Sequence, residues 1–94
     1  EPMLFYSRPK GNYVGDDANQ VMLDFYPVNV ELGEDYKVKV DVADASFVVD
    51  EWQPYFLKGL PMGEYKVSLT LIDGDGNTVD APLNPVSRVI TLAP

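Results

Sequence analysis

Any chemistry done by this chain has to come from carboxylates, hydroxyls, aromatic rings and a few cationic side chains. Its 94 residues include no cysteine and no histidine. Thiol nucleophiles, disulfides, Cys/His zinc centres and imidazole acid–base catalysis are therefore excluded. The serines have no imidazole to activate them. Carboxylates are numerous, but none stands in a recognisable glycosidase arrangement, and a chain this short offers no deep cleft between a pair of them. These residue types point away from an enzyme, and no cofactor is expected.

Three groups remain as candidate binding residues. Arg8-Pro9-Lys10-Gly11-Asn12-Tyr13 is the basic cluster with an aromatic beside it. Arg8, Lys10 and Tyr13 there suit the grip of a carboxylate or phosphate, while the same Pro and Gly also serve a plain solvated turn. Trp52 and Tyr55, with Phe56, suit a platform for sugar rings; the competing use of such aromatics is core packing or the covering of a sheet edge. Asp16, Asp17 and Asn19 carry the hard oxygen ligands that calcium takes, so two such acidic loops meeting at one end of a domain would make a calcium-stiffened spacer. No other metal site is expected. Asp73, Asp75 and Asn77 have the alternate spacing of an EF-hand start, but Thr78 falls where its glycine belongs and Asn84 where its glutamate belongs. Asp-Gly and Gly-Asn in that segment instead read as a tight turn.

The elements that position these groups are strands. Period-2 patterns recur along the chain and no stretch shows a convincing 3.6 period. Met3-Leu4-Phe5-Tyr6 is a short apolar run closed by Pro9 and Gly11, after which a loop is expected as far as Asn19. Val21, Leu23 and Phe25 share one face of a strand, with Met22, Asp24 and Tyr26 on the other, and Pro27 should end it, bulge it or place it on an edge. Tyr36 to Val42 alternates valine with charge. Ala43-Asp44-Ala45 turns into Ser46 to Val49, and Trp52 to Lys58 is a further apolar stretch broken by Pro54. Tyr65, Val67, Leu69 and Leu71 alternate with polar residues along a long strand. Beyond the turn, Thr78-Val79-Asp80 reads as the start of a return strand, and Ser87 to Leu92 alternates to the end. About seven short amphipathic strands of this kind suit two sheets packed face to face in one domain over residues 1–94.

Bulk properties agree. A hydrophobic fraction of 46% and an aromatic fraction of 12% belong to a folded chain. The net charge of −8 repels phosphate backbones and anionic bilayers, which argues against nucleic-acid and membrane-surface partners. No apolar run reaches the roughly 20 residues of a membrane span. The sequence begins at Glu1 without methionine or a signal segment, so an origin in a longer protein is expected.

Leu60-Pro61-Met62-Gly63-Glu64-Tyr65-Lys66-Val67 resembles the corner by which immunoglobulin-like and fibronectin type III domains enter their penultimate strand. The resemblance implies an immunoglobulin-like antiparallel β-sandwich, with Leu60, Pro61 and Gly63 shaping the corner and the Tyr65 hydroxyl bonded to a nearby backbone group. The cysteine pair of true immunoglobulin domains is absent, and Trp52 stands late for their core tryptophan. Leu4 to Gly11, Val21 to Tyr26, Trp52-Gln53-Pro54-Tyr55 and Gly59 to Gly63 also resemble the C-terminal segment of a bacterial family of exported or lipid-anchored envelope proteins. Some of its members carry the label "phosphopeptide-binding protein"; phosphate recognition calls for clustered cations, and only Arg8 and Lys10 stand close together here. The resemblance implies a non-catalytic structural or interaction module of the cell envelope, periplasmic or extracellular, packing against a neighbouring domain of its own chain or another envelope protein. It transfers no active site.

Overall fold

In a computed structural model describing residues 1–94, the alternating segments form eight strands. They are β1 (Met3–Arg8), β2 (Gly11–Val14), β3 (Gln20–Val28), β4 (Tyr36–Val42), β5 (Ala45–Val49), β6 (Tyr55–Lys58), β7 (Gly63–Asp73) and β8 (Val86–Ala93). Two sheets result, a three-stranded one ordered β1-β3-β6 and a five-stranded one ordered β2-β8-β7-β4-β5. The chain is an all-β sandwich. Its inner faces carry the residues that alternation assigned to a core: Val21, Leu23 and Phe25 from β3, Val38, Val40 and Val42 from β4, Val67, Leu69 and Leu71 from β7, and Ile90 and Leu92 from β8. Each such side chain, fully buried, stabilises the fold by about 1.5–3 kcal/mol before entropy is counted.

Two expectations need correction. The stretch from Pro9 to Asn19 is no simple loop. Pro9 is fully buried, and beyond it the chain crosses to the other sheet, where β2 pairs in parallel with β8. One pairing of the sandwich is therefore not antiparallel. A 3-10 turn, Gly15–Asn19, follows and buries Ala18. Thr78 to Asp80 does not grow into a return strand: only Thr78 bridges to Ile72. The ladder partner of β7 is β8, in a register that sets Gly63 opposite Leu92 and Leu69 opposite Val86. Of the alternatives for Pro27, the strand edge is the one taken: β3 runs on to Val28. Strand β6 pairs only with Gln20 to Leu23, so the side of β3 that it leaves free from Asp24 onward asks for no donor at Pro27.

The turns follow their residue chemistry. The Asp73 carboxylate accepts hydrogen bonds from the N–H groups of Asp75 and Asn77, both at 2.9 Å. These bonds, that from Asn77 foremost, hold its carboxyl below the usual carboxylate range. At the corner into β7, the Tyr65 hydroxyl donates to the Pro61 carbonyl at 2.6 Å, and Leu60 packs against the core. Gly63 adopts φ 147°, a conformation that side chains disfavour.

Candidate functional site

The two sheets present different outer faces. On the five-stranded sheet the outward positions of β4 and β7 are Lys37, Lys39, Asp41, Glu64, Lys66, Ser68 and Thr70, an ordinary solvated surface. On the three-stranded sheet they include Met3, Phe5, Met22, Tyr26, Val28 and Phe56. Register brings these together: Met3 lies opposite Val28, Phe5 opposite Tyr26, and Met22 opposite Phe56.

Trp52 extends this face. Because β6 begins only at Tyr55, the carbonyl of Phe25 has no strand beside it, and the Trp52 indole N–H takes that place at 2.7 Å. The ring is thereby pinned over the open side of β3 and packs edge-on against Tyr26, centroids 6.0 Å apart. Tyr26 in turn lies 6.0 Å from Phe5. Phe5, Tyr26 and Trp52 form a continuous aromatic row, exposed by 60%, 44% and 59%. Such a row on one face of a small domain exceeds the scattered single apolar residues normal on a surface.

Trp52 also walls two clefts. An open one of about 410 Å³ is lined by Pro27, Val30, Glu31, Leu32, Asp50, Glu51 and Trp52. A smaller one of about 250 Å³ is lined by Asp24, Trp52, Gln53 and Pro54. Four carboxylates and no cation line the pair. Val30 and Leu32 pack against the core, so the floor of the larger cleft is apolar.

The other candidate residues are dispersed. Tyr55 pairs with the fully buried Leu23 and packs against the core, so it turns away from the exposed face on which Phe56 lies. Its hydroxyl donates to the Glu51 carbonyl at 2.7 Å, and burial, with Glu51 and Asp50 nearby, raises its pKa. Trp52 and Tyr55 therefore do not share one platform, and the rings that do neighbour Trp52 meet it at an angle: Tyr26 is inclined by 66°. Arg8 ends β1 opposite Asp24, and the Tyr13 hydroxyl accepts the backbone N–H of Lys10 at 3.2 Å while its ring packs against the core. Neither Arg8, Lys10 nor Tyr13 lines either cleft. Asp16 and Asp17 lie in the 3-10 turn, and no group of three acidic side chains stands close enough together to hold a metal ion.

Two residues outside the sequence-based candidates hold the scaffold. Asn84 accepts the Leu71 N–H at 2.8 Å and donates to the carbonyls of Leu71 at 3.0 Å and Val79 at 2.7 Å, imitating a strand where β8 has not yet begun. Tyr6, buried in the core, donates to the Pro9 carbonyl at 2.5 Å beneath the Arg88 guanidinium, 5.3 Å above its ring.

No protein-family model matches this sequence, and no curated protein matches it either. Among solved structures, the fibronectin(III)-like modules of Clostridium thermocellum CbhA are similar, with a TM-score of 0.68 at 19% sequence identity, covering 97% of each chain. The fold is that of a fibronectin(III)-like sandwich. That likeness extends to the fold and carries no binding residue with it.

Proposed function

We propose that this chain is a non-catalytic interaction module of an exported bacterial envelope protein, docking onto a protein surface through the outer face of its three-stranded sheet. The aromatic row Phe5–Tyr26–Trp52 carries the reading. Aromatic anchors dominate protein interfaces, and covering each ring fully gains about 1.5–3 kcal/mol. The resemblance to an envelope family supports the exported setting, and the occurrence of this fold as modules in CbhA supports a role beside other domains. A stacking platform for sugar receives less support, since the ring beside Trp52 is steeply inclined and Tyr55 faces the core.

Hydroxyl-radical footprinting tests the docking face. The isolated domain and the full-length protein in its native envelope are labelled in parallel. Phe5, Tyr26 and Trp52 should be protected several-fold in the envelope, while Met62 and Val89, exposed elsewhere, should label alike in both. Equal labelling of the aromatic row in the two preparations would remove this face as the interface.

A further inference from the structure

The docking face ends in a groove whose chemistry selects what enters it. Its floor is apolar, built by Pro27, Val30 and Leu32. Its rim is made of Glu31, Asp50 and Glu51, all exposed, and its wall is the Trp52 indole. Asp24 lies across the same ring in the smaller cleft. No lysine or arginine of the chain lines either cleft, and Arg8 stands opposite Asp24 alone, so Glu31, Asp50 and Glu51 have no cation among the lining residues.

We propose that this groove receives an arginine-bearing segment of the protein partner. The proposal rests on the docking reading above and names the chemistry of what docks. Three features of the groove match one side chain. The aliphatic stem of an arginine covers apolar floor while its head stays wet. The guanidinium stacks on an indole face within about 6 Å of the ring centre. Its planar fork of N–H donors matches carboxylates. The indole is already fixed by its bond to the Phe25 carbonyl, so ordering the ring adds little to the cost of binding. A chain of net charge −8 also draws basic partners toward it and repels acidic ones. A neutral sugar would use the ring and donate hydroxyls to the carboxylates, but would leave their negative charge uncompensated.

Trp52 is the single tryptophan of the chain, so its fluorescence reports on the clefts it walls. The domain is titrated with acetyl-Gly-Arg-Gly-Arg-Gly-amide, with the matching glutamate peptide, and with cellohexaose. The arginine peptide should give a saturable change that weakens as salt rises. Glu31→Gln/Asp50→Asn/Glu51→Gln should weaken it by roughly tenfold, the order expected when several exposed charge pairs are lost together. Glu31→Lys, a single surface change, provides the same comparison if the triple variant folds poorly. No saturable change, an equal response to the glutamate peptide, or undiminished binding by both variants would each overturn the proposal. So would a response to cellohexaose in place of the peptide. Footprint protection of Phe5, Tyr26 and Trp52 without an arginine-peptide response would retain the docking face and discard the arginine.

Discussion

Single side chains in this sandwich act mostly where a ladder ends. Asn84 is the clearest case, because it serves both backbone groups of Leu71 beyond the point where β8 pairs. Asn84→Ala strips the Leu71 N–H and the Val79 carbonyl of their Asn84 partner, while the Leu71 carbonyl keeps the Val79 N–H, a cost of about 2 kcal/mol. A fall in melting temperature of roughly 10 °C is expected for a domain of this size, measurable by circular dichroism. Tyr6 offers a test through pH. Burial is the main cause that pushes its phenol well above the ordinary tyrosine value, with Arg88 opposing. A group whose pKa is raised by folding contributes stability that is fully present below its unfolded pKa, about 10 for tyrosine, and lost as pH rises beyond it. Urea midpoints measured between pH 8 and 11 should therefore fall at the alkaline end, and fall less steeply in Tyr6→Phe. An identical slope in the variant would place the alkaline loss on another residue.

Among elements, those with strict alternation were legible in the sequence, and those defined by distant partners were not. Tyr36 to Val42 and Tyr65 to Ile72 announce their inner faces through valines and leucines at every second position. Strand β2 announces nothing. Its four residues include one inward ring, Tyr13, and its partner β8 lies at the far end of the chain. The docking face was half legible. Trp52 was a candidate, and Tyr26 was assigned to the face opposite Val21 and Leu23. What joins them is a register, Phe5 opposite Tyr26, and a hydrogen bond to a vacated carbonyl, neither of which residue types encode locally. Tyr55 was misplaced because Pro54 obscures where β6 starts; counted from its true start, Tyr55 falls in step with the buried Leu57. Connections impose their own demands. At Gly74 an added Cβ would lie 2.5 Å from the Glu34 carbonyl oxygen, so the turn after β7 presses backbone against backbone. Gly74→Ala should cost about 2 kcal/mol, read as a lower urea midpoint with an unchanged slope.

At the scale of the molecule, the two sheets are unequal, and the five-stranded one carries an open edge at β5. The two-residue turn at Ala43-Asp44 makes Val42 and Ala45 the hydrogen-bonded pair, so Ser46 and Val48 direct their N–H and C=O groups away from β4. Phe47 and Val48 are exposed there, and the strand holds neither proline nor lysine to discourage pairing with another copy. Its protection is flanking charge. A two-fold pairing centred on Phe47 would set Asp44 of one copy against Asp50 of the other at both ends. Asp44→Asn/Asp50→Asn should raise the weight-average mass in sedimentation equilibrium at high concentration, while the unaltered chain stays monomeric; a monomeric double variant would mean that another feature guards the edge. The opposite edge of the same sheet has a mechanical consequence. Strand β2 runs in the same direction as β8, Gly11 beside Ile90 and Val14 beside Ala93. A pull between the two ends of the chain loads β1 against β3 first; once β1 comes away it reaches β2 at Gly11 and β8 at Ala93, dragging those strands past one another lengthwise. Their hydrogen bonds then share the load at once instead of opening singly from a frayed end. Resistance to such a pull depends on the unfolding rate along that direction and not on the equilibrium free energy. Four residues of latch are thus set to meet tension in shear.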